Sequence, residues 1–451
     1  MTYVEAPFDR SIVDSVIEEF RVNPETAAIR RIAMVVAEVE KRIGCRYLRM
    51  EFGIPGIEPS PIGIEAEIGA LRKPKVASSY ALLTGIPQLK EEGSRFFKLF
   101  MDLEIPGEFV IPTVGAMQGT FLSQAIAGFC HPGRDKILFI DPTFAVYRTQ
   151  VKFLGLKEAS VDIYDRGNWL KNVEQLCAAG DIGGILFASP NNPAWLIFTE
   201  EELKELGRIC TQYDVVAIED AAYFAMDSRV DYSIPGQPPF PPTIGRHTDN
   251  YVIVLSSSKI FSYAGQRIAL TAISPKLAKR EYDGLEKRYG YRTFFDAFVW
   301  GALYGITSGV AQSPQHGLTA LLSKANRGDY NFLRATSVYA ERAKELKAIM
   351  RKYGFQLVYA DDLGEPLSDG FYFTVSYPGL TGGQLLRELL YYGISVTTLT
   401  ISSSTRSEGV RICTSLVPKE DFKLFEKRII AFRNDHPIAG AEAAEAVETP
   451  V

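Results

Sequence analysis

Residues 250–274 read NYVIVLSSSKIFSYAGQRIALTAIS. Two apolar runs, YVIVL (251–255) and RIALTAI (267–273), flank a short polar loop that carries one lysine, Lys259. Runs rich in Val, Ile and Leu that do not alternate with polar residues predict strands covered on both faces. Working upstream, the same kind of run recurs as EFVIPT (108–113), KILFI (136–140), GGILFA (183–188) and DVVAIED (214–220). Amphipathic stretches of helix length separate them, and that alternation predicts an α/β domain with a mostly parallel, helix-covered sheet.

Outside this core the pattern changes. Residues from about 11 to 43 read as helical, and RMEFGIPGIEPSP (49–61) reads as a short strand running into a Pro/Gly loop. Beyond residue 310 a long helical stretch (NFLRATSVYAERAKELKAIMRKYG, 331–354) precedes two strand-like segments, GFYFTVSY (370–377) and GVRICTS (409–415). The expected division is a large domain over 75–320 and a smaller α+β domain built from both chain ends, 1–74 and 321–436. The Ala/Glu-rich stretch 437–451 is expected to be a disordered tail. A chain of 451 residues is long enough for two cores.

Composition narrows the function classes. The net charge of -5 offers no footprint for nucleic acid or an anionic membrane. No apolar run is as long as a membrane span. The five cysteines lack CxxC spacing and read as reduced thiols of a cytoplasmic protein. Four scattered histidines speak against a histidine metal site, and no metal is expected.

In open α/β sheets ligands bind beyond the carboxyl ends of the strands, so the residues that follow each run carry the functional information. KILFI leads into Asp141-Pro142-Thr143-Phe144, GGILFA into Ser189-Pro190-Asn191-Asn192-Pro193, VVAIE into Asp220-Ala221-Ala222-Tyr223, and YVIVL into Ser256 and Lys259. EFVIPT leads through Val114 to Gly115-Ala116-Met117, where a helix start beside a glycine makes a generic anion cradle. Taken singly these residues have plain readings: Asp220 as a helix cap, Asn192 as a turn, Phe144 as core.

As a set they resemble the class I/II aminotransferases, fold-type I pyridoxal-phosphate enzymes typified by aspartate aminotransferase, over residues 47 to 415. Ser256, Lys259 and Arg267 match the family's serine three residues before its Schiff-base lysine and arginine eight residues after it. Asp220 and Tyr223 match its Asp-x-x-Tyr, Asn192 and Pro193 its Asn-Pro, and Arg411 in GVRICTS its carboxylate-binding arginine. Tyr80, in SYALLTGIPQLKEE, matches an upstream tyrosine. Two departures stand out. Ala194-Trp195 follow Asn-Pro where the family usually has Thr-Gly, and Ala269 replaces a frequent glycine.

The resemblance implies a role for each residue. Lys259 holds the cofactor aldehyde as an imine and then serves as the proton-moving base. Asp220 keeps the pyridine nitrogen protonated so that the ring draws electrons. Asn192 and Tyr223 face the ring hydroxyl, and Phe144 stacks on the ring. Ser256, Arg267 and the backbone of Gly115, Ala116 and Met117 hold the phosphate. Tyr80 reaches the phosphate of a neighbouring subunit, implying a homodimer with shared sites. Arg411, with Asn192, binds the substrate carboxylate.

The expected activity is transfer of an amino group between an amino acid and a 2-oxo acid. The same constellation also serves carbon–sulfur lyases and other fold-type I lyases or synthases, because the cofactor stabilises several carbanions. A transcriptional regulator that senses the cofactor is a third reading, but only about 45 residues precede the first family-like strand. For substrate choice, Arg292 lies where a second carboxylate-binding arginine would come from the other subunit. The aromatic segment around it (289–300) reads either as pocket lining or as an interface helix. Trp195 reads either as local packing or as part of the substrate pocket.

Overall fold

The structure is a computed structural model that describes residues 5–164 and 166–438. The described residues divide into two compact units, one within 57–337 and one made of 5–56 with 338–438.

The larger unit is built on a seven-stranded sheet. In chain order its strands are β1 (Val110–Thr113), β2 (Lys136–Asp141), β3 (Lys157–Asp162), β4 (Ile182–Ala188), β5 (Val216–Ala221), β6 (Tyr251–Ser256) and β7 (Ala269–Ile273). Their order in the sheet is β1-β7-β6-β5-β4-β2-β3. β2 to β6 run parallel, while β7 is antiparallel to both β6 and β1. The expectation of a mostly parallel sheet covered by helices therefore describes this unit. Strands β1, β4, β5, β6 and β7 are buried along their whole length, as their unbroken apolar runs predict.

β3 was not among the expected strands. Its sequence, KEASVD, is largely exposed because it closes one edge of the sheet. Charged residues on an edge blunt pairing with other chains, and they also erase the apolar signature of a strand.

The directions gather the functional loops at one end of the sheet. β2, β4, β5 and β6 end there, at Asp141, Ala188, Ala221 and Ser256. β7, running the other way, starts there, and β1 ends there: Ala269 pairs with both Thr113 and Ser256. Helix Gly115–Ala127 then leaves that edge and lies hard against the sheet. A Cβ on Gly119 would sit 2.6 Å from Thr271 Oγ1, so only glycine permits this approach.

The unit boundaries differ from the expected 74/75 and 320/321. Helix Pro61–Leu71 belongs to the larger unit because it packs on helix Gln312–Asn326. A Cβ on Gly63 would lie 3.0 Å from Leu321 Cδ1, and Tyr263 Oη lies 3.3 Å from Gly63 O. The second boundary falls inside helix Phe332–Lys352.

The smaller unit holds a four-stranded antiparallel sheet in which strand Tyr372–Ser376 pairs with Val410–Cys413. A separate short pair joins Leu48–Arg49 to Ile394–Ser395. The expected helical stretch 11–43 is two helices, Arg10–Glu19 and Ile29–Ile43, whose buried faces (Val13, Val16, Ile32, Val36, Val39) join one core with Leu385, Leu389 and Phe425. Of the expected tail 437–451, all but residues 437 and 438 lie outside the described residues.

Candidate active site

The loop after β6 carries Lys259, and three contacts within the larger unit fix its course. Tyr330 Oη donates to Ile260 O at 2.7 Å. Phe261 is buried against Tyr330 and Phe96. Tyr263, four residues after Lys259, donates to Glu67 Oε2 at 2.6 Å. Tyr263 and Glu67 were not singled out in the sequence. Their sequence signal is slight: Tyr263 is a polar aromatic in a loop that also holds Ile260 and Phe261.

Asp220 closes β5 with its carboxylate buried. Its Oδ2 accepts from Tyr147 Oη at 2.5 Å, whereas Oδ1 is buried without a hydrogen-bond partner among the described residues. Burial pushes the Asp220 carboxyl up to about 6, against the opposing pull of the Tyr147 hydroxyl and the positive charge of Lys259. A buried carboxylate oxygen left without a donor is costly in an isolated chain. It is suited to a ligand that brings its own N–H. Tyr147 is the clearest residue missed from sequence. It follows Phe144 by three positions, so it opens helix Val146–Leu154 on the same side, and the two rings meet edge to face at 5.7 Å.

Asn192 and Tyr223 are both buried. The loop bearing Asn192 is shaped by its neighbour Asn191. Asn191 Nδ2 donates to Pro142 O at 3.1 Å, and its Oδ1 accepts from Leu196 N at 2.9 Å. That ties the end of β4 to the end of β2. Tyr223 meets the ring of Trp195 with centroids 5.1 Å apart and planes at 64°. Trp195 is itself buried.

The anion cradle also assembles. Gly115 takes φ +66°, and a Cβ there would sit 2.5 Å from Arg267 Nη2, so the guanidinium lies directly on this glycine at the start of helix Gly115–Ala127. The helix has no side-chain cap, and Val114 N–H is taken by Gln118 Oε1, which leaves the first-turn amides of Gly115, Ala116 and Met117 facing the same end. Ser256, at the end of β6, pairs in register with Ala269 beside Thr113. Arg267 itself corrects the sequence reading. It lies not inside a strand but exposed, in a left-handed turn (φ +50°) ahead of β7, with Nη1 on Ala264 O at 3.0 Å. Left-handed non-glycine residues recur in these loops, at Trp195, Ala225, Ser262 and Arg267. Such conformations persist only where the surroundings enforce them, and they cluster at ligand sites.

An aromatic, phosphorylated cofactor with a protonated ring nitrogen fits these features. The orphaned Asp220 oxygen offers the acceptor, the Gly115–Arg267 cradle offers the anion site, and Lys259, in the loop after β6, offers an amine between Asp220 and Arg267 in sequence. Tyr80 makes no case within one chain, being 94% exposed. Arg292 is exposed and held by its own neighbours, Glu281 at 3.1 Å and Asp283 at 2.9 Å. Arg411 sits in the smaller unit. It is buried, its Nη2 donates to Glu51 O, and its guanidinium lies 4.4 Å over the Tyr372 ring.

The chain is similar to proteins of known fold and family. A Methanocaldococcus jannaschii protein named probable aspartate aminotransferase is 28% identical over 233 residues, 51% of this chain and 58% of that protein. A Streptococcus mutans asparagine–oxo-acid transaminase is 25% identical over 245 residues, 53% of this chain and 60% of that protein. The matched stretch thus spans little more than half of either relative. Among solved structures, an aspartate aminotransferase from Thermus thermophilus with maleate has the same fold, with a TM-score of 0.71 over 90% of this chain and 96% of that one at 20% identity. The profile described as aminotransferase class I and II matches residues 58–429. With that match covering most of its length, the chain belongs to the class I and II aminotransferase family.

Proposed function

We propose that this protein is a pyridoxal-5'-phosphate-dependent aminotransferase that moves an amino group between an amino acid and a 2-oxo acid. The observation that carries the proposal is the buried, unpartnered Oδ1 of Asp220, on a carboxylate that feels the charge of Lys259. When bound, the cofactor supplies an aldehyde that condenses with amines and a ring that withdraws electrons.

The chain's own residues do the rest. Asp220, kept in place by Tyr147, would hold a proton on the ring nitrogen. Asn192 and Tyr223 would orient the ring and donate to its oxygen, and Phe144 would give an aromatic face. Arg267, Ser256 and the amides of Gly115, Ala116 and Met117 bind the phosphate. Lys259 would hold the cofactor through its amine, and that amine is the base that would move the proton of the substrate α-carbon. Arg411 binds the α-carboxylate through its paired N–H groups.

The reading extends to assembly and location. The exposure of Tyr80, Trp300, Tyr304 and Ile306 supports a homodimer in which Tyr80 reaches the partner's phosphate site. The five cysteines are buried and form no disulfide, which supports a reducing, cytoplasmic setting. Among the described residues no helix is long and apolar enough to cross a membrane.

The test is a pair of half-reactions on purified, cofactor-loaded protein. An amino acid added alone should abolish the visible absorbance band while releasing its 2-oxo acid, and a second 2-oxo acid should restore the band. Release of ammonia without any acceptor would instead identify a lyase and overturn the proposal.

A further inference from the structure

Trp195 occupies a backbone position better suited to glycine. Its φ is +66°, in the left-handed region that a bulky side chain enters only under constraint. The constraint is visible: Trp195 N–H donates to Asn191 O at 3.0 Å, and Asn191 N–H donates to Leu196 O at 3.0 Å. Glycine would satisfy both hydrogen bonds without steric cost. What it could not supply is the indole, which is 1% exposed and meets the Tyr223 ring 5.1 Å away at 64°. Edge-to-face aromatic contacts of this kind fix ring orientation as well as bury area. The strained residue thus spans two functional loops, joining the one that bears Asn192 to the one that bears Tyr223.

We infer that Trp195 is a positioning residue, which aims the Tyr223 hydroxyl at the ring oxygen of the bound cofactor and thereby sets the pH at which the lysine–cofactor linkage titrates. The inference rests on the proposed role of Tyr223. A donor facing that oxygen stabilises negative charge on it and favours the deprotonated linkage. Loss or misalignment of the donor therefore raises the midpoint. A ring that merely filled space would support folding and leave the midpoint alone.

The experiment is a spectrophotometric pH titration of the visible band in the cofactor-loaded dimer or monomer as purified. Wild type is compared with Tyr223→Phe, Trp195→Gly, Trp195→Leu and the double variant Trp195→Leu with Tyr223→Phe. Trp195→Leu keeps bulk but removes the aromatic edge, so it carries the test should Trp195→Gly not fold. Tyr223→Phe is expected to raise the midpoint. Trp195→Leu should raise it by at least half as much, on the order of half a pH unit or more. The double variant should add nothing beyond Tyr223→Phe, because both act through one hydroxyl. A Trp195→Leu midpoint equal to wild type, or a shift that adds fully to that of Tyr223→Phe, overturns the inference. Should Tyr223→Phe itself leave the midpoint unmoved, the assigned role of Tyr223 fails first, which is a separate and recognisable result.

Discussion

Replacing Asp220 by asparagine should make the cofactor-free protein gain on wild type in stability as the pH rises. Burial lifts the Asp220 carboxyl from 3.8 to about 6. A carboxyl whose folded value is raised favours folding most below its unfolded value, and that contribution is lost as the pH climbs through the folded one. A difference of about two units corresponds to roughly 3 kcal/mol across the whole window. About half of that, roughly 1.5 kcal/mol, falls between pH 5 and pH 8. Asparagine does not titrate, so the gap between variant and wild type should widen by that amount over this range. A constant offset from the changed hydrogen bonding with Tyr147 does not alter the slope. Glu219, the buried neighbour pushed up to about 7, titrates in both proteins and cancels. Urea denaturation of the cofactor-free proteins at pH 5, 6.5 and 8 measures the gap. A gap that stays flat or narrows with pH would refute the picture of a carboxylate held buried without its ligand. The same variant should bind cofactor poorly, a trade of function against stability expected where a site is kept strained.

Other perturbations read the remaining parts of the site. Tyr147→Phe removes the donor to a buried carboxylate and should cost about 1–3 kcal/mol at pH 8, with a smaller loss at pH 5, by the same denaturation assay. Gly115→Ala forces a Cβ towards Arg267 at a positive φ, so the cofactor dissociation constant should rise roughly tenfold or more in a spectral titration, about 1.4 kcal/mol. Arg411→Lys should leave the visible band intact but raise KM for the amino donor by roughly tenfold or more, since an ammonium cannot form the paired hydrogen bonds of a guanidinium.

Much of this site is legible in the chain because the chemistry sits where the fold must put it. Once YVIVL and VVAIE are read as neighbouring buried strands, Lys259 and Asp220 fall at the same sheet edge by direction alone. What stays illegible depends on contacts distant in sequence. Tyr147 looks like any aromatic on a helix until its hydroxyl meets an aspartate 73 residues away. Strand β3 hides because a solvent-facing edge selects charge over apolarity. The domain boundary moves from 75 to 57 because helix Pro61–Leu71 finds its apolar partner near residue 321, which no local pattern announces. Arg267 was misplaced into a strand because RIALTAI reads as one run, whereas a tight turn at Ala264–Gln266 and a left-handed Arg267 delay the strand until Ala269. That turn is what lays the guanidinium on Gly115.

The central claim is that Lys259 carries the cofactor. Reducing the yellow, cofactor-loaded protein with borohydride and mapping its peptides by mass tests this directly. A phosphopyridoxyl adduct is expected on Lys259 alone, and none in Lys259→Ala protein that remains folded. An adduct on another lysine, or a visible band that survives Lys259→Ala, would contradict it.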